Sequence, residues 1–182
     1  MSTLTMPVGE RDHAQGPADA PVTLVEYGDY ECPYCGMAYP IVKQVQARFG
    51  DRLRFVFRNF PLESVHPHAQ HAAEAAEAAA DQGRFWEMHD RIFEHQKRLR
   101  DEDLRAYAAD EGLDADRFSV DLAAHTFATR VREDFMSGVR SGANGTPTFF
   151  VNGVRHDGPG DAENLTAAIE RALGEPRRAA PP

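Results

Sequence analysis

The sequence predicts an α/β fold in which one sheet-forming unit is interrupted by an all-helical insertion and then resumed. Three observations carry this. Residues 22–57 pass from a β-branched apolar run, through a helical repeat, to a second apolar run. Residues 64–139 then repeat apolar side chains almost entirely at helical spacing. After Gly142 strand-like sequence returns. The 182 residues are 42% hydrophobic and 27% charged, which suits one globular domain with its own core.

Residues 1–20 are polar and punctuated by Gly and Pro, and read as a flexible arm with a short strand near His13–Gln15. Pro21 opens a first half over 21–61. In it Val22-Thr23-Leu24-Val25-Glu26-Tyr27 alternates little, as expected of a strand buried on both faces. Ala38, Ile41, Val42, Val45 and Phe49 recur at helical spacing, with Pro33 suited to the first turn and Gly50 to the end. Pro40 should kink this helix. Residues 53–57 form the next strand, and a strand–helix–strand unit of this length makes the two strands parallel.

The insertion spans 62–142. An alanine-rich helix follows Pro67 and ends near Gln82-Gly83, with Glu74 and Glu77 on a solvated edge. Phe85, Met88, His89 and Ile92 mark a second helix. Asp101 caps a third, Asp114 a fourth, and Phe127, Val131, Phe135 and Val139 line a fifth. The second half, 143–174, holds a strand at 148–151, the hairpin signal Asn152-Gly153, a return strand, and a last helix capped by Asp161. Residues 175–182 are expected to be disordered.

A net charge of −9, from 20 Lys+Arg against 29 Asp+Glu, argues against a nucleic-acid partner, because phosphate binding needs clustered cations. No apolar run approaches the roughly 20 residues that span a bilayer. Glu10, Arg11 and Asp12 interrupt the start where a secretion signal would be apolar, so the sequence predicts a cytoplasmic protein without a membrane segment. No Gly-rich phosphate loop points to a nucleotide or flavin.

Only two cysteines are present, too few for a disulfide scaffold or a cysteine-held cluster, and both lie in Cys32-Pro33-Tyr34-Cys35. At a strand-to-helix junction the first sulfur meets the free N–H groups of the helix, which favour thiolate over thiol and make a nucleophile. The second lies one turn along, placed to resolve a mixed disulfide. The same tetrapeptide is also half of a zinc site, with His66, His68 and His71 the nearest further ligands. The strand–loop–helix context points instead to redox chemistry without a metal.

Glu31-Cys32-Pro33-Tyr34-Cys35 after a buried strand, and Gly145-Thr146-Pro147-Thr148-Phe149-Phe150-Val151-Asn152-Gly153 far downstream, resemble the DsbA-like family of the thioredoxin fold. The likeness spans about residues 12–174, and the helical insertion is the family's distinguishing part. It implies a thiol–disulfide oxidoreductase with Cys32 attacking, Cys35 resolving, and no cofactor beyond that redox-active pair. It implies substrate contacts at Pro33, Tyr34, Thr146 and Pro147, and a cis Thr146–Pro147 bond; the residues alone allow an ordinary trans turn as well. A cis turn there would expose the Thr146 backbone to an extended substrate strand.

Glu26 stands where the family carries a buried acid that moves protons. Its carboxyl either has a raised pKa in the strand or reaches solvent at the strand end. The family's strongly oxidising members have Pro-His between the cysteines, whereas Pro-Tyr offers no charge, and Asp29 and Glu31 add negative ones. The Cys32 pKa should therefore be less depressed and the protein less oxidising. His66 reads as a helix cap.

Substrates are expected among protein or small-molecule thiols and disulfides, with thioredoxin or glutathione as electron partner. Rival readings are a glutathione-linked transferase or isomerase, against which Cys35 argues, and a non-catalytic metal-binding or redox-sensing module. Reductase, oxidase and isomerase share these residues.

Overall fold

A computed structural model of the chain describes residues 2–174. The strands are β1 (His13–Gln15), β2 (Val22–Gly28), β3 (Leu53–Asn59), β4 (Thr148–Val151) and β5 (Val154–Arg155). The helices are α1 (Pro33–Phe49), α2 (Ala69–Asp81), α3 (Phe85–Glu94), α4 (Asp101–Asp110), α5 (Ala115–Ala123), α6 (Ala128–Arg140) and α7 (Ala162–Gly174). One mixed sheet runs β1-β3-β2-β4-β5, with β2 and β3 parallel and the other neighbours antiparallel.

The two-residue period of the strands divides the core. Val22 and Leu24 of β2, with Leu53, Phe55 and Phe57 of β3, face α1, α7 and the insertion. Val25, Tyr27 and Val56 face a smaller cluster with Phe60 and Phe150 on the opposite side. Burying each such large side chain contributes about 1.5–3 kcal/mol. α1 passes through Pro40 without ending, and Gly50 at its C-terminal end has φ +51°. In the β4–β5 turn Asn152 and Gly153 have φ of 48° and 80°, the conformation that tight hairpins need.

The described part of the arm, residues 2–20, is held against the sheet rather than loose. Thr3 bridges Val154, the Leu4 N–H donates to the Gly153 carbonyl at 2.9 Å, and Leu4 and Val8 pack on the smaller core cluster. The cause is Arg58 of β3, a charge only 1% exposed that must find partners. The arm supplies them: the Asp12 carboxylate at 2.7 and 3.0 Å and the carbonyls of Met6 and Pro7 at 3.0 and 3.1 Å. The expectation for 175–182 lies outside the described residues.

The insertion departs from its expected pattern at three polar points. Glu74 and Glu77 are 1% and 4% exposed, so α2 has no solvated edge there; α3, α5 and α6 all pack against it. Glu77 takes His13 at 2.9 Å and Asn59 Nδ2 at 2.6 Å, while Glu74 takes Gln70 at 2.8 Å and His125 at 3.2 Å. Asp101 is the first residue of α4 rather than its cap, and its carboxylate meets His71 Nδ1 at 2.9 Å. The buried face of α6 is Val131, Asp134, Ser137 and Gly138, with Val139 exposed. Asp134 accepts the Asn59 N–H at 3.0 Å, and a Cβ on Gly138 would meet Phe60 at 2.7 Å. Asp114 and Asp161 do cap α5 and the start of α7.

Candidate active site

β2 ends at Gly28 and the chain turns through Asp29, Tyr30 and Glu31 into α1, whose first residue is Pro33. This places Cys32 at the cap position and Cys35 inside the first turn, both with free thiols. Cys35 is wholly buried and Cys32 is 3% exposed, whereas Tyr34 is 69% exposed. Gly36 follows because Gln96 occupies the space beside it: a Cβ there would overlap the Gln96 side-chain amide. The amide of Gln96 donates to the carbonyls of Tyr30 and Cys32 at 2.8 and 3.0 Å, fixing the loop from the insertion. Nothing in the sequence marks Gln96; the small residue after Cys35 is the only hint.

The second wall comes from the β4 side. Thr146–Pro147 is a cis peptide, and the Cys32 thiol donates to the Thr146 carbonyl at 3.4 Å. The Thr146 hydroxyl oxygen is buried with no partner of its own, so its proton is free to turn toward the sulfur. Cys35 receives the Asp29 N–H on its sulfur at 3.4 Å.

These contacts separate the two sulfurs electrostatically. The Cys32 thiol is lowered to about 5, first by the hydrogen bond from Cys35, then by Thr146 and by the N–H groups of Cys35 and Tyr34, against the opposing effect of burial. Burial pushes Cys35 well above the ordinary thiol range, and the charges of Glu26 and Cys32 add to that rise. Glu26 is 3% exposed between Phe57 and Phe149 in the sheet, so its carboxyl does not reach solvent. Burial raises it to about 8, and the Cys32 thiolate contributes.

The acidic residues of the loop are both engaged by histidines. The Asp29 carboxylate accepts the N–H groups of Glu31 and Leu62 at 2.8 and 2.9 Å and meets His66 Nδ1 at 2.7 Å. Glu31 accepts the His68 N–H at 2.6 Å and meets His68 Nδ1 at 2.9 Å. His66 is thus not a cap of α2; the neighbouring carboxylate takes its ring nitrogen instead. His66, His68 and His71 turn to three different carboxylates. His89 is buried, shares a hydrogen bond with the Tyr30 hydroxyl at 3.0 Å through Nδ1, and packs among Phe57, Phe85 and Phe93. Burial holds it neutral.

A family profile described as thioredoxin matches residues 9–171. The chain belongs to the thioredoxin family. Its fold, with the helical insertion, is that of the DsbA-like members. BdbD from Bacillus subtilis, in a structure of its oxidised form, superposes with a TM-score of 0.86 at 26% identity, covering 96% of this chain and 99% of that one. A thioredoxin-like oxidoreductase from Silicibacter pomeroyi gives 0.81 at 26%, covering 92% and 95%. α-DsbA1 from Wolbachia pipientis gives 0.78 at 20%, covering 94% of each chain, and shows the fold alone. In sequence, the Na(+)/H(+) antiporter NhaA 1 of Salinispora arenicola is 53% identical over 175 residues, 96% of this chain but 27% of the antiporter. This thioredoxin-family chain therefore spans about a quarter of the curated relatives it matches. Among the described residues no helix is long and apolar enough to cross a membrane.

Proposed function

We propose that the chain is a thiol–disulfide oxidoreductase that exchanges disulfides with protein or small-molecule thiols through Cys32 and Cys35. The observation that supports this best is the opposed behaviour of two sulfurs one helical turn apart: Cys32 ionises near 5, while Cys35 keeps its proton. A nucleophile and a held-back resolving thiol are the two parts that disulfide exchange requires.

In the reducing direction the Cys32 thiolate attacks one sulfur of a substrate disulfide. A mixed disulfide forms and the other substrate sulfur leaves as thiolate. Glu26 in its carboxylate form takes the Cys35 proton, and the Cys35 sulfur attacks Cys32, releasing the second substrate sulfur. Two electrons pass from the pair to the substrate, and Cys32–Cys35 becomes a disulfide. In the oxidising direction the steps reverse, and protonated Glu26 returns the proton to Cys35. With Glu26 near 8, both forms are populated close to neutral pH, so one residue serves either direction.

Pro33 and Tyr34 on one side and Thr146 and Pro147 on the other frame the sulfur, and an extended substrate strand fits between them. Cys32 at about 5 lies between DsbA, at about 3.5, and thioredoxin, at about 7, as a Pro-Tyr pair without a charged side chain favours. Thioredoxin-type proteins or glutathione suit the electron-exchange role, and the poise of the compartment sets the net direction. Insulin reduction by the wild type, lost in Cys32→Ser, supports the reading; full activity in Cys32→Ser overturns it.

A further inference from the structure

Asp29 touches nearly every part of the cysteine loop. Its carbonyl accepts the Cys32 N–H at 3.2 Å and its own N–H lies on the Cys35 sulfur at 3.4 Å. Its carboxylate, with 0% side-chain exposure, accepts the N–H of Glu31 in the loop and of Leu62 beyond β3, and meets His66 Nδ1 at 2.7 Å. A carboxylate taken fully out of water keeps its charge when a cation faces it. Protonated His66 is such a cation, with 18% of its side chain exposed at the entrance to the insertion. Asp29 contacts its ring directly, and the charges of Cys32 and Glu31 also act on it; Glu31 is itself taken by His68.

Burial works against charging His66, but Asp29 outweighs it and the Cys32 thiolate adds to the rise, so its affinity for a proton is increased. Coupling between two proton sites is reciprocal. Whatever the thiolate does for the imidazolium, the imidazolium does for the thiolate, in addition to the larger effects of the hydrogen bonds from Cys35, Thr146 and Tyr34. Tyr34, between the cysteines, has no charge to offer.

We propose that His66, held by Asp29, is a positioning residue for the Cys32–Cys35 pair and supplies from outside the tetrapeptide the positive charge that favours the Cys32 thiolate. This rests on Cys32 being the attacking thiol. A further consequence is that the proton on His66 is linked to the redox state: when Cys32 is locked in a disulfide its negative charge is gone, and His66 releases its proton at lower pH.

The experiment combines variants with a titration of the unaltered protein. In reduced His66→Gln, thiolate absorbance places the Cys32 midpoint about one unit higher than in the wild type. At pH 5 the thiolate fraction then drops from about one half to about one tenth, and iodoacetamide alkylation slows about fivefold. His66→Lys restores a cation and returns the midpoint toward the wild-type value, which a role in shape alone would not do. In the wild type, NMR titration of the His66 ring gives a midpoint that falls by about one unit on oxidation of the pair, the same coupling read from the other side. An unchanged Cys32 midpoint in folded His66→Gln, or a His66 midpoint identical in the two redox states, overturns the proposal. None of these readouts needs turnover, so they hold or fail separately from the oxidoreductase reading.

Discussion

Replacing Glu26 by Gln should stabilise the protein, and by an amount that grows with pH. Glu26 is 3% exposed and its carboxyl is raised from 4.5 to about 8, chiefly by burial. Between those values the folded protein holds a proton that the unfolded chain has released, so stability falls as pH rises through the window. Gln carries no such proton and pays no such cost. From the two pKa values, the advantage of Glu26→Gln grows from about 1 kcal/mol at pH 5 to about 4 kcal/mol at pH 8. Urea unfolding of the reduced proteins, followed by the fluorescence of the single tryptophan, Trp86, measures it at each pH. The same variant should resolve mixed disulfides slowly, because Cys35 loses its proton acceptor. A stability difference that stays constant from pH 5 to pH 8 would refute the placement of Glu26 as a buried, proton-holding group.

Three other substitutions probe the frame around the sulfurs. Gly36→Ala forces a methyl group against Gln96 and breaks its two bonds to the loop, at a cost of about 1–3 kcal/mol in urea unfolding; wild-type stability would show that Gln96 does not fix the loop. Arg58→Met leaves the Asp12 carboxylate without its partner and should cost about 3–5 kcal/mol, with the arm becoming accessible to protease; an arm that stays protected would contradict its anchoring by Arg58. Tyr34→His changes an exposed side chain, so stability should move by less than about 0.5 kcal/mol. Its thiolate titration should place Cys32 below the present value near 5, and an unmoved midpoint would mean that an imidazole there does not reach the sulfur.

The elements that hold the cysteines were legible because local patterns decide them. The apolar run of β2, the repeat of α1 and the Asn152-Gly153 turn each depend on near neighbours in the chain. The parallel pairing of β2 and β3 follows from the helix between them. What stayed hidden depends on partners far away. Glu77 on an alanine-rich helix has the spacing of a solvated edge, and His13, 64 residues earlier, is what lets it be buried. Arg58 likewise meets Asp12 across 46 residues, and so binds an arm whose composition reads as loose. Within the site, Cys32, Cys35 and the Thr146-Pro147 turn were legible as motifs. Gln96 and the Asp29–His66 contact were not, since both join the loop to the insertion and no local period records them.

The division of labour between the sulfurs is tested most directly by trapping. Reduced Cys35→Ser is mixed with glutathione disulfide and its mass is read. One glutathione should attach, at Cys32, and persist because no resolving thiol remains. Cys32→Ser, treated in the same way, should take up none, since Cys35 is buried and protonated. Equal labelling of both variants, or none of either, would contradict Cys32 as nucleophile and Cys35 as the resolving thiol.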